Sequence, residues 1–433
     1  MGKGESLFVD GNRLTFHLRN IPVNGVEGSG SFKDDILDGV FSIGFVMRKI
    51  GFFILFFLLA FACGDFSTLT PREGYILTPD GVRLFYKVAG GGGETLVVVH
   101  GGPGNSMDSI VPDLEPLERN RTVIYYDQRG NGSSDLLKHP DQLAISKHVA
   151  DLEAVRRFFK LDKVALLGNS WGGMLVAFYA AEHPGKVDRM ILHSPGEPTR
   201  SLMVKADAAM LERIDQHFSA AQKRRYAFLS DPQNWVDAED PKAVCREYYQ
   251  LLLPFYVYRP ESLARVKGDV CSEPNEAVRN RLAVNEQIIN SLGDWDLLSS
   301  LQRVSSPVLV IYGETDPALA DAREAWVRAL PNARLLVIDR AGHLPHVEQP
   351  EIFFRAVETF LKGGFPPDAD FVGSTRPGFP GSTVFTPLSQ NDRIPVCLRK
   401  RSVDTRSGKG LLSVVQQCLT LLSLRSLHPN QYF

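Results

Sequence analysis

The sequence predicts an α/β protein: a mainly parallel, doubly wound sheet with a helical cap inserted late in the chain. Three observations carry this. Apolar runs of buried-strand length recur along the middle of the chain, amphipathic helical stretches lie between them, and one interval between strand runs is far too long for a simple connection.

The strands follow in order. Tyr75-Ile-Leu-Thr78 and Val82 to Val88 flank Pro79-Asp80-Gly81, a hairpin signal. Leu96 to Val99 and Val123 to Tyr126 read as buried strands. Ile145, Val149, Leu152, Val155 and Phe159 then recur at helical steps and share one helix face. Val164 to Leu167, Met190 to His193, Val308 to Tyr312 and Leu335 to Ile338 complete the strands. Between His193 and Val308 the chain far exceeds the ~30 residues of a strand–helix–strand return. The segment 196–293 is rich in helix formers and aromatics, among them Phe218, Trp235, Tyr248 and Phe255, and is interrupted by Pro232, Pro241, Pro254 and Pro260. It reads as a helical cap dividing the α/β core into 70–195 and 294–363, with an apolar wall to offer a ligand.

Of the 433 residues, 44% are hydrophobic and 23% charged, an ordinary globular composition. The formal charge of −2 leaves no basic footprint for nucleic acid, and no Cys/His cluster has the spacing of a zinc site. Neither a nucleic-acid partner nor a metal is expected.

The ends have a different character. Met47-Arg48-Lys49 precedes the apolar run Ile50 to Ala62, and Cys63 follows. A positive region, about a dozen apolar residues and small residues before a cysteine form an export signal (47–63), too short for a bilayer span of ~20 residues. The pattern resembles a bacterial lipoprotein signal with Cys63 lipidated, although Phe61 departs from the usual lipobox. Translation is then expected from Met47 and membrane attachment through the lipid, with 1–46 a non-native extension. The alternatives are an N-terminal membrane anchor, or a cytoplasmic protein if the run is not a working signal. The segment 364–433 carries Pro366, Pro367, Pro377 and Pro380 and a basic patch at Arg399-Lys400-Arg401, and reads as a disordered tail with short helical pieces at Leu411 to Val415 and Cys418 to Leu424. Cys245 and Cys271 both fall in the cap; a disulfide between them and two free buried thiols are equally compatible with the sequence.

The chemistry concentrates at strand ends. Gly168-Asn169-Ser170-Trp171-Gly172 lies between a strand run and a helix-like run. Such a turn lifts a serine hydroxyl above the sheet edge, which makes Ser170 the candidate nucleophile. A serine needs a base, an orienting carboxylate and donors for an oxyanion. His100-Gly101-Gly102-Pro103-Gly104 follows one strand, and its glycines free backbone N–H groups; those of Gly102 and Trp171 are the expected oxyanion donors. Gly313-Glu314-Thr315-Asp316 follows another strand, and Asp316 is preferred to Glu314 as the acid. Ala341-Gly342-His343 follows the last strand, and His343 is preferred to His346 as the base because it directly follows the glycine turn.

His100 to Gly104, Asp127-Gln128-Arg129-Gly130, Gly168 to Gly173 and the Asp316/His343 pair together resemble the proline iminopeptidase family of α/β-hydrolases, over about Thr70 to Gly363. The resemblance implies an α/β-hydrolase fold and a cofactor-free serine hydrolase that removes N-terminal residues, often proline, from short peptides through an acyl-enzyme. It also implies an acidic anchor for the free amine, and Glu286 matches a family cap glutamate. Pro317 stands where some members carry a second glutamate, and an esterase or amidase on small acyl substrates is the alternative. A ligand-binding protein that kept the fold and lost turnover is a further class.

Overall fold

The computed structural model describes residues 72–137 and 139–370, together with the paired short strands Phe8–Asp10 and Arg13–Thr15. Eight strands form one sheet: β1 (Glu73–Leu77), β2 (Arg83–Gly90), β3 (Thr95–Val99), β4 (Thr122–Tyr126), β5 (Val164–Asn169), β6 (Val187–His193), β7 (Val308–Gly313) and β8 (Ala333–Ile338). Their order is β8-β7-β6-β5-β3-β4-β2-β1. Pairing is parallel from β8 to β4 and antiparallel where β2 joins β4 and β1 joins β2. The tight turn at Gly81 (φ 87°) can join β1 and β2 only as antiparallel neighbours.

Burial explains the sequence pattern of each strand. Every residue of β5 and β7 is buried, because helices cover both faces and an unbroken apolar run is required. In β3, Leu96 and Val98 enter one core with Phe353 and Phe360, while Val97 and Val99 enter the other with Leu152 and Met174. The second core is closed by α1 (Ile145–Phe158) and α2 (Trp171–Glu182), and Val149, Leu152 and Val155 of α1 are buried on the face their spacing marks.

Between β6 and β7 run α3 (Arg200–His217), α4 (Ala220–Leu229), α5 (Pro232–Val236), α6 (Pro241–Leu252) and α7 (Asn275–Ser291). Here the prolines act as starts. Pro232 and Pro241 are the first residues of α5 and α6, where a missing N–H costs nothing, and Asp231 and Asp240 cap those helices by accepting from Gln233 N and Ala243 N. These helices have a small core of their own around Trp235, Tyr248 and Val278. Cys245 and Cys271 are joined in a disulfide, Cα–Cα 6.0 Å, which decides between the two alternatives left by the sequence.

After β7 come α8 (Ala320–Ala329) and, beyond β8, α9 (Pro350–Leu361). The chain stays packed past Gly363, where the composition changes. Asp370 exchanges two backbone hydrogen bonds with Leu335, of 2.8 and 2.9 Å, and Ala369 is buried. Cys63, the apolar run 50–62 and residues 371–433 lie outside the described residues. Among the described residues no helix is long and apolar enough to cross a membrane.

Candidate active site

Ser170 sits between the end of β5 and the start of α2 with φ 54° and ψ −119°, a conformation an L-residue holds only when its surroundings enforce it. They do so on both sides. Ser170 N–H donates to His193 O (2.9 Å), and Ser170 O accepts from Gly173 N (2.9 Å) and Gly196 N (3.2 Å). A Cβ on Gly168 would lie 2.3 Å from Gly172 O, and one on Gly172 would lie 2.2 Å from Val99 O. Strand and helix therefore approach too closely for any residue but glycine at those two positions.

The loop after β3 is held beside this turn. Gly102 has φ 60°, and a Cβ there would meet Asn105 Nδ2 at 2.0 Å. Asn105 N–H closes the loop on Gly102 O (2.8 Å), and α7 secures it from above: Arg281 Nε donates to Gly104 O (3.2 Å) and Asn285 Nδ2 to Pro103 O (3.1 Å). Trp171 is the first residue of α2, so its N–H has no acceptor within the helix.

The Asp127-Gln128-Arg129-Gly130 motif is the frame of this arrangement. Gln128 N–H donates to His100 Nε2 (3.2 Å), Gln128 Nε2 donates to His100 O (3.0 Å), and Gln128 Oε1 accepts from the Trp171 indole (2.9 Å). One amide thus joins the glycine loop to the residue after Ser170. Burial lowers the pKa of His100 to about 4, which keeps its Nε2 an acceptor. Arg129 is buried between Asp151 (2.6 Å) and Asp80 (3.1 Å). The sequence motif showed the residues of this network but not that they brace one another.

Asp316 and His343 meet: His343 Nδ1 is 3.1 Å from Asp316 Oδ2. Burial works to raise the Asp316 pKa, but the charge and hydrogen bond of His343, with the Ala318 N–H donated to Oδ1 at 2.9 Å, bring it below the ordinary carboxylate value. Glu314 is exposed and accepts from Arg340 N. His346 is buried against His193, Nδ1 to Nε2 3.2 Å, and burial holds its pKa at about 3. The neighbouring acid and the neighbouring histidine therefore occupy other settings. The His343 loop is fixed by Glu348, whose Oε2 accepts from Gly342 N (2.6 Å) and whose Oε1 accepts from Tyr258 N (2.9 Å).

A cavity opens beside His343 and Asp316, walled by Pro195, Ala206, Met210, Tyr256, Pro317 and Ala318 and by two further acids, Glu197 and Asp207. Ser170 is not itself in that wall; Gly196, between the wall residues Pro195 and Glu197, donates its N–H to Ser170 O (3.2 Å). Glu286 is half-buried on α7, beside Asn285, and is not part of that wall. Sequence reasoning missed Glu197 and Asp207. One signal was available: Glu197 follows β6 just as Asp316 follows β7, at the same edge of the sheet. Among the described residues no cluster of His, Cys, Asp and Glu is arranged to hold a metal ion.

A parallel sheet with an enforced serine turn and a His–Asp pair at its carboxyl edge defines a class of enzyme. The chain belongs to the α/β hydrolase fold family, whose model matches residues 94–350, and it is a hydrolase. Within that family its relatives include proline iminopeptidases. That of Thermoplasma volcanium is 29% identical over 295 residues, 67% of this chain and 97% of that protein. That of Saccharolobus solfataricus is 28% identical over 298 residues, 68% of this chain and 93% of that protein. The crystal structure of the Mycobacterium smegmatis proline iminopeptidase superposes with a TM-score of 0.51 at 25% identity, covering 67% of this chain and 97% of that one.

Proposed function

We propose that the protein is a serine hydrolase that releases the N-terminal residue, proline by preference, from short peptides. The observation that carries this reading is the enforced φ of 54° at Ser170 on the same sheet edge as the 3.1 Å His343–Asp316 contact. The similarity to proline iminopeptidases supports the substrate class.

In this reading His343 takes the Ser170 proton as the hydroxyl oxygen attacks the scissile carbonyl. Asp316, ionised and buried, holds the imidazole by Nδ1 and stabilises its positive charge. The N–H groups of Gly102 and Trp171 receive the negative charge that develops on the carbonyl oxygen. The imidazolium then gives its proton to the departing peptide amine as the carbon–nitrogen bond breaks. Water, deprotonated by His343, resolves the acyl-serine. Glu286, on the helix that secures the glycine loop, supplies a negative charge for the free amine of the substrate.

The test is turnover of proline arylamide, N-blocked proline arylamide and a short acyl ester. Preference for the free amine, reduced roughly ten- to a hundredfold relative to the ester in Glu286→Gln, is the expected result. A preference for the blocked substrate or the ester gives the assignment to an esterase or amidase. Pro317 in the cavity wall favours that second reading, because no acid stands directly after Asp316.

We further propose that the protein is exported and carries a lipid on Cys63. The Cys245–Cys271 disulfide supports an oxidising compartment, where such bonds persist. Mass spectrometry of the mature N-terminus checks this: a diacylglyceryl-modified Cys63 is expected on expression from Met47, and an unlipidated chain that keeps residues 50–62 overturns it.

A further inference from the structure

The cavity beside His343 holds more carboxyl groups than the hydrolytic machinery uses. Asp316 is engaged with His343 and Ala318 N. Glu197, on the loop after β6, and Asp207, on α3, line the same cavity, and they are 2% and 6% exposed. Glu197 Oε2 is buried without a hydrogen-bond partner, an arrangement that costs free energy unless something arrives to satisfy it. The remaining wall, Pro195, Ala206, Met210 and Pro317, is apolar and suited to a small ring or alkyl chain.

We propose that the Glu197–Asp207 corner is the seat of the substrate's ammonium group, so that the cationic end of an N-terminal residue enters beside His343 and is held by these two carboxylates. The inference rests on the aminopeptidase reading and gives the ammonium two contacting carboxyl groups in addition to the negative charge of Glu286, which is not part of this wall. A secondary ammonium such as that of an N-terminal proline has two N–H donors, and two carboxyl groups facing one small apolar space are matched to it in number and charge. The charges of Asp207 and Asp316 both act to raise Glu197, Tyr256 is neutral, and Arg200 acts to lower Asp207. Burial and the charge of Asp207 raise Glu197 to about 8, and burial raises Asp207 to about 7. Entry of an ammonium group replaces those protons with a bound cation, and the carboxyls ionise as it seats.

Two measurements test this. In the intact wild-type chain, pyrrolidine, protonated at neutral pH, is expected to inhibit hydrolysis of a neutral ester competitively and at least tenfold more strongly than cyclopentanol, a neutral ring of the same size; equal inhibition overturns the proposal. In Glu197→Gln and Asp207→Asn, fluorophosphonate labelling of Ser170 reports that the site is folded. The ratio of kcat/KM for proline arylamide to that for the ester should fall roughly ten- to a hundredfold in each, and pyrrolidine inhibition should weaken with it. A wild type that favours free amines, with that ratio unchanged in both variants, places the cation elsewhere and overturns this inference alone. A wild type with no preference for free amines overturns the aminopeptidase reading beneath it. If one variant fails to label, the other and the wild-type comparison decide.

Discussion

Two corners of one cavity hold buried carboxyl groups in opposite states. Asp316 is buried yet has a lowered pKa, because His343 and a backbone N–H are aimed at it. Glu197 is equally buried, lacks such partners at Oε2, and is pushed up to about 8. Burial is the same; the partners differ. A group that must already be charged when the reaction begins is completed by the protein itself, whereas a group waiting for a ligand is left incomplete. On the proposed reading, chemistry is seated on the sheet edge and recognition where the sheet edge meets α3.

If this division is right, changes at the sheet edge should depress turnover of all substrates alike. The largest effect is expected from Ser170→Ala: a loss on the order of 10⁶ in kcat on arylamide and ester, with fluorophosphonate labelling abolished. Near-wild-type turnover in that variant would remove Ser170 from the chemistry. Asp316→Asn should follow, with a loss on the order of 10⁴ in kcat on both substrates, because the amide keeps the shape but not the charge that stabilises the imidazolium. A loss confined to the amine-bearing substrate would instead make Asp316 part of recognition.

Smaller effects separate structure from recognition. Removing the Cys245–Cys271 bond, which closes 26 residues, should lower stability by about 3–4 kcal/mol on the chain-entropy estimate. Denaturant unfolding of Cys245→Ser/Cys271→Ser against the wild type measures it, and an unchanged midpoint would mean the bond adds nothing to the fold. The smallest effect concerns pH. A carboxyl whose folded pKa lies above its unfolded value binds its proton more tightly when folded, so its contribution to stability is present at low pH and lost as pH rises toward the folded value. Because Glu197 stands at about 8 and Asp207 at about 7, the melting temperature should decline from pH 5 to pH 8. Glu197→Gln should flatten that decline. A wild-type melt independent of pH over this range would show that the two corners do not differ as described.

Much of this was legible in the chain. Strands buried on both faces must be apolar throughout, so Val164 to Leu167 and Val308 to Tyr312 announce themselves, and a turn as tight as that at Ser170 admits only glycine at positions 168 and 172. Asp316 and His343 could be chosen because each follows a strand. What was not legible depends on contacts across the fold. Gln128 stands out in the sequence only as part of the Asp127 to Gly130 motif; its task is visible once its amide is seen between His100 and Trp171, which are far apart in sequence. Glu197 lies in Pro195-Gly196-Glu197-Pro198, which matches no motif, and only the fold brings it into one cavity wall with Asp207 of α3. The prolines of the inserted helices misled in the other direction: Pro232 and Pro241 looked like interruptions and are helix starts, since an aspartate precedes each.

Glu348 has a consequence for how the protein moves. One buried carboxylate holds both the loop of His343, through Gly342, and the inserted segment, through Tyr258 and Arg259. A further bond, from His343 N–H to Tyr256 O at 2.6 Å, joins the same two pieces. Lifting residues 256–259 would therefore pull on the loop of His343, the proposed base. In the proposed mechanism, then, the inserted segment can part from the core on that side only by displacing the base.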